Sequence, residues 1–173
     1  VEPSGLVWLP ALDRYLIVSD DTGRGRHSGA PWVFLMDELG RLDPAPAVLE
    51  GVAKVADLEA VAGRPDGVLY LLASQNVSRH GKRPEARRQL LRVACREGRL
   101  VVTASADLLA ALEAAAGARD LEQLGLTERD DEGRLALRHD GAPGFDGGLL
   151  LGLNPPRPAA GAILWRLRDP DRF

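Results

Sequence analysis

Cysteine is almost missing from this chain: Cys95 stands alone in 173 residues, so neither a disulfide framework nor a cysteine metal cage can be built within it. Cys95 itself reads as a small buried hydrophobe at the end of a strand. Long apolar runs are missing too. Nothing approaches the roughly 20 residues of a membrane-spanning helix, and the longest candidate, around Asp107 to Gly117, reads as a short alanine-rich helix. Charge of one sign is scarce: a formal net charge of −3 leaves no basic footprint for nucleic acid or anionic lipid. Neither nucleic acid nor a membrane is therefore expected as a partner. Histidine is limited to His27, His80 and His139, all in charged or glycine-bearing loops, and no Gly-x-Ser-x-Gly elbow is present, so nucleophilic catalysis has little support. Lysine occurs only at Lys54 and Lys82 among many arginines, a bias that points to a GC-rich bacterial source. In that setting Asn76-Val77-Ser78 reads as a loop and not as a glycosylation acceptor. Val1 without a basic-and-apolar leader suggests a processed product or an excised segment; the chain reads as soluble, with cytoplasmic and exported placement both open.

What is abundant is a strand-turn-strand pattern that recurs. The first copy opens at Val1-Glu2-Pro3-Ser4-Gly5-Leu6 and continues through Trp8 to Tyr15-Leu16-Ile17-Val18-Ser19-Asp20, with a further strand at Trp32 to Met36. The second opens at Asp57-Leu58-Glu59-Ala60, turns at Asp66-Gly67, runs along Val68 to Ser74 and pairs with Gln89 to Ala94. The third runs Gly148 to Asn154 and then Ala162 to Leu167. A single unit of this kind cannot bury its apolar face alone, so repetition implies a radial or stacked β array. From Ser105 the period changes: Asp107 is placed to cap a helix, Leu108, Leu109 and Leu112 share a face, and Gly117 stops it. A second short helix is expected near Asp120, and Arg134 to Arg138 alternates as a strand. The expected fold is one mainly β domain over residues 1–173, of propeller-like antiparallel blades at about 1–50, 51–104 and 134–173, with a helical insert at about 105–127.

The order Glu-Pro-Ser-Gly-Leu, Val-Ser-Asp-Asp, Asp-Leu-Glu-Ala, Leu-Tyr-Leu-Leu-Ala-Ser-Gln-Asn, a basic loop and Leu-Leu-Arg-Val resembles an uncharacterised bacterial β-propeller-like family. Its members lie near the phytase-like (esterase-like) and SdiA-regulated propeller proteins; the closing unit resembles Leu149 to Pro156 followed by Gly161 to Leu164. Such rings need at least four blades, so the resemblance implies a partial propeller, completed by further sequence or by a second copy in a homodimer. It also implies that the starts of inner strands converge on a channel, where Glu2 and Glu59 occupy equivalent places. Converging oxygen ligands without cysteine or histidine suit a hard cation such as Ca²⁺. Calcium-dependent lactonase-like propellers use a Glu/Asn/Asp set, which adds Asn76, Asn154 and Asp20 as candidates. A bound metal would polarise a carbonyl or phosphoryl oxygen, with a general base drawn from Asp20, Asp21 or Glu59, and hydrolysis of a lactone, ester or phosphoester would follow. Independently, the loop of His80, Lys82, Arg83, Arg87 and Arg88 has the composition to clamp a small anionic molecule, although Glu85 inside it equally fits a solvated loop. The competing expectation is a non-catalytic platform that binds a ligand or a protein through the connections at 20–31, 75–88 and 128–147.

Overall fold

The computed structural model describes residues 3–20, 30–75, 82–115, 149–153 and 163–172. Strand β1 (Pro3–Leu9) turns through a 3₁₀ segment at Pro10–Leu12 into β2 (Arg14–Ser19). Proline suits the first position of that turn, and Asp13 ends it in a left-handed conformation at φ 54°. Strands β3 (Trp32–Met36) and β4 (Ala47–Glu50) extend the antiparallel meander. A second meander repeats the design: β5 (Leu58–Gly63), β6 (Leu69–Ala73), β7 (Gln89–Arg96) and β8 (Arg99–Asp107). Its turns carry the chemistry their types demand. Asp66 Oδ1 accepts the Val68 N–H at 3.1 Å, and Gly67 takes φ 85°. Between β7 and β8, Glu97 and Gly98 both hold positive φ, 50° and 78°, as a two-residue hairpin turn requires.

The two meanders form one eight-stranded sheet in the order β1-β2-β3-β4-β8-β7-β6-β5. At one seam β4 and β8 run parallel through Leu49↔Leu100 and Glu50↔Val101. At the other, the edges β1 and β5 pack against each other, so the sheet nearly closes into a barrel. Counting strand directions around the sheet makes β1 and β5 run the same way. Side chains alternate across each strand, and the inward set, including Leu9, Leu16, Val18, Val33, Leu49, Leu71, Leu91 and Val93, forms the main core between the meanders. A second core lies outside the second meander. There Ala60, Ala62, Tyr70, Leu72 and Leu90 pack against Leu108 and against Leu149 and Leu151 of the hairpin β9 (Leu149–Leu153) and β10 (Ile163–Leu167). Strand β6, Leu-Tyr-Leu-Leu-Ala, is buried on both faces for that reason. The corresponding outward face of the first meander carries Leu6, Trp8, Ile17, Trp32, Phe34 and Val48, with Leu6 54% and Val48 51% exposed.

The mainly β expectation holds, and the first and second units are joined in one shared sheet. The helical stretch starts later than 105: Ser105, Ala106 and Asp107 pair with Leu91, Leu90 and Gln89, and this ladder overrides the alanine-rich local preference. Helix α1 occupies Leu108–Ala115, with Asp107 Oδ1 accepting the Ala110 N–H at 3.1 Å. The remainder of the expected insert, its second helix and the strand at 134–138 lie outside the described residues.

Candidate functional site

One end of the sheet gathers the starts of β1, β5 and β7 and the ends of β2, β6 and β8, and with them most of the polar residues singled out in the sequence. Gly5 lies against Val61 and Gly63 against Val7, so β1 and β5 run side by side and parallel. Glu59 and Asp20 are both half-buried, and each takes part in a polar interaction within the chain. Glu2, Asp21, Asn76, His80 and Asn154 lie outside the described residues. Among the described residues, no three His, Cys, Asp or Glu side chains gather as a metal site would require.

The same end is held by clasps. Asp57, at φ 61°, accepts a hydrogen bond from Ser74 Oγ and pairs with Arg87 Nη1 at 3.1 Å, while its carbonyl accepts the Ser74 N–H at 2.7 Å. Gln75, fully buried at φ 58°, donates its backbone N–H to the Arg87 carbonyl at 2.9 Å and its Nε2 to the Ala73 carbonyl at 3.0 Å. The Ala56 N–H reaches the Ala86 carbonyl at 3.0 Å, and Arg88 Nη1 meets Asp107 Oδ2 at 2.7 Å. The basic loop expected to clamp an anion is thus divided: Arg87 and Arg88 face carboxylates of the chain itself, Arg83 is buried and engaged, and Lys82 is exposed.

Beside these clasps opens a cleft of about 500 Å³, with residues 51–54 on one wall and Pro84, Glu85, Ala86 and Gln89 on the other, and Ser105 also lining it. Gly51, at φ 89°, lets the first wall pass close to the Val102 carbonyl, where a Cβ would meet that oxygen at 3.1 Å. Gln89 and Ser105 share the strand face of Leu91, so the cleft continues the gap between the meanders past its apolar filling. No hydrogen-bond donor among the described residues reaches Gln89 Oε1. Among the described residues, the exposed Lys54 and Glu85 side chains form no ion pair. A volume of this size falls in the range of small-molecule sites.

A second polar cluster lies outside this region. Asp171, past β10, accepts from Tyr70 Oη at 2.5 Å, Arg64 Nη1 at 2.6 Å and Arg92 Nε at 2.8 Å, and so fastens the end of the chain to β6 and β7. The Tyr70 hydrogen bond, then Arg64 and Arg92, hold the Asp171 carboxyl below its ordinary range against the opposing effect of burial. Burial first, then the bond to Asp171, push the Tyr70 phenol up; Tyr70 and Asp171 hold Arg64 above the ordinary guanidinium range. These residues act as a fastener, and nothing in the sequence marks them: Asp171 sits 101 positions from Tyr70. Lys54, Gln89 and Ser105 were missed for the same reason, being ordinary polar residues in separate segments.

The fold is thus a mainly β, nearly closed barrel-like sheet with a hairpin on one flank, and the site is a polar cleft at the clasped end. Comparison of the chain with protein-family models, curated proteins and solved structures found no match.

Proposed function

We propose that the two meanders and the β9–β10 hairpin are successive units of a propeller-type array, and that the chain is a binding module taking a small polar ligand at the clasped end. The array reading draws support from the translated order of the meanders, each first strand beside the other and each fourth strand beside the other, with the hairpin stacked on the next face. The apolar face of β1 to β4, on which Leu6 and Val48 are about half exposed, is where such a stack would continue. The observation that carries the binding function is the cleft with its unspent polar groups, Lys54, Glu85 and the Gln89 oxygen. The alternative is a metal-assisted hydrolase of a lactone, ester or phosphoester that would draw on Glu2, Asp20, Asp21, Glu59, Asn76 and Asn154.

Ligand-observed NMR with a chemically mixed panel of small polar compounds tests the reading. Binders are expected for the wild type and are expected to be lost in Ser105→Trp, whose indole would fill the cleft while the rest of the sheet stays folded. Chelator-sensitive turnover of a lactone or aryl-ester panel, lowered in Glu59→Gln, would replace the binding module with the hydrolase.

A further inference from the structure

Resting on that reading, we propose that the ligand of the cleft is a zwitterion of amino-acid or dipeptide size, its carboxylate taken by Lys54, its ammonium by Glu85 and an N–H by the Gln89 oxygen. Three observations lead there. The first is that the cation and the anion come from different segments lining the cleft: Lys54 lies in the connection after β4, and Glu85 opens the short helical turn before β7. At the same end Arg87 is committed to Asp57 and Arg88 to Asp107, yet among the described residues Lys54 and Glu85 form no ion pair. Opposite charges from two segments of one cleft, not paired with each other, match a ligand that itself separates a carboxylate from an ammonium; a simple anion would be repelled by Glu85 and a simple cation by Lys54.

The second is the Gln89 carboxamide. Among the described residues no donor reaches its oxygen, and because the residue lines the cleft, a turn of the carboxamide toward the cleft would let a ligand N–H satisfy that acceptor. An amino acid or a peptide bond supplies such a donor between its charged ends. The third is rigidity. The walls are tied together immediately beside the charged residues, through Ala56 N–H to the Ala86 carbonyl at 3.0 Å and through Arg87 to Asp57 at 3.1 Å. A site whose walls are fixed in advance loses little ordering entropy on binding. The apolar part of the lining, Val52, Ala53, Pro84 and Ala86, leaves room for an aliphatic side chain.

Isothermal titration with glycyl-leucine, with its N-acetyl derivative and with its C-terminal amide tests this. Capping either end is expected to weaken binding at least tenfold. Lys54→Met is expected to erase the penalty for the amide and leave that for the acetylated form, and Glu85→Gln to do the reverse. Both residues are exposed, so the variants are expected to keep the wild-type melting temperature. Equal affinity for capped and uncapped peptides would overturn the zwitterion. Panel compounds displaced by Ser105→Trp, with no dipeptide binding, would overturn it too while leaving the binding module standing; no binding by anything would remove both.

Discussion

Replacing Gly5 with alanine asks whether the barrel-like sheet closes, because the sign of the effect depends on it. Gly5 is not in a left-handed conformation, so alanine is free to adopt its backbone geometry. On an open strand edge the exchange would stabilise by about 0.4–1 kcal/mol, since alanine has fewer unfolded conformations to lose. In the structure a Cβ at this position would lie 2.9 Å from Val18 Cγ2, 3.1 Å from Val61 Cγ1 and 3.1 Å from the Val61 backbone nitrogen. The two methyl groups can rotate; the nitrogen can move only with β5. Overpacking of this kind costs about 1–3 kcal/mol, which set against the unfolded-state gain leaves a net loss centred on about 1 kcal/mol and reaching about 2.6 kcal/mol. For a chain of this size that lowers Tm by about 2–4 °C per kcal/mol. Urea unfolding followed by tryptophan fluorescence measures it, with an unchanged denaturant slope showing that the unfolded state is the same. Gly63→Ala, whose Cβ would meet only Val7 Cγ2 at 2.9 Å and Leu69 Cδ2 at 3.3 Å, should cost less because both are side-chain ends. Val18→Ala placed on Gly5→Ala should show little relief, the Val61 nitrogen remaining. A neutral or stabilising Gly5→Ala would mean that β1 and β5 do not meet.

Leu71→Ala, at a fully buried position between the meanders, is expected to cost about 2–5 kcal/mol in the same assay; a cost under about 1 kcal/mol would place β6 at the surface. At Asp57, asparagine keeps tolerance of positive φ and an acceptor for Ser74, whereas alanine loses both, so Asp57→Ala should be less stable than Asp57→Asn by about 1–2 kcal/mol; equal stabilities would refute the role given to that backbone. Because the Asp171 carboxyl is held below its ordinary range, its contribution is present above that range and lost as pH falls through the lowered value. Asp171→Asn should accordingly be less stable than wild type near neutrality and converge with it in acid, and a gap independent of pH would argue against the fastener. On the alkaline side, the raised Tyr70 phenol means that stability is lost as pH climbs through the tyrosine range, a loss expected to shrink in Tyr70→Phe.

Elements set by short-range chemistry were legible in the residues. The β-branched and aromatic run at Tyr15 to Ser19, the strand at Gln89 to Ala94, the turns at Asp66-Gly67 and Glu97-Gly98, and the likeness of the two acidic openers all follow from local residue and turn preference, which neighbours along the chain determine. The end of β8 was not legible, because Ser105 to Asp107 stay extended only through their ladder with β7. The candidate site divided the same way. A basic loop could be seen in Lys82 to Arg88, but not that Arg87 and Arg88 would be taken up by Asp57 and Asp107.

The sequence by itself determined a repeated, mainly β chain with few chemically reactive side chains, since period, turns and composition are local properties. Only the tertiary structure decided that the repeats share one sheet and that Lys54, Glu85 and Gln89 border a common cavity, because those relations arise from the pairing of β4 with β8 and the packing of β1 on β5, between segments far apart in the chain.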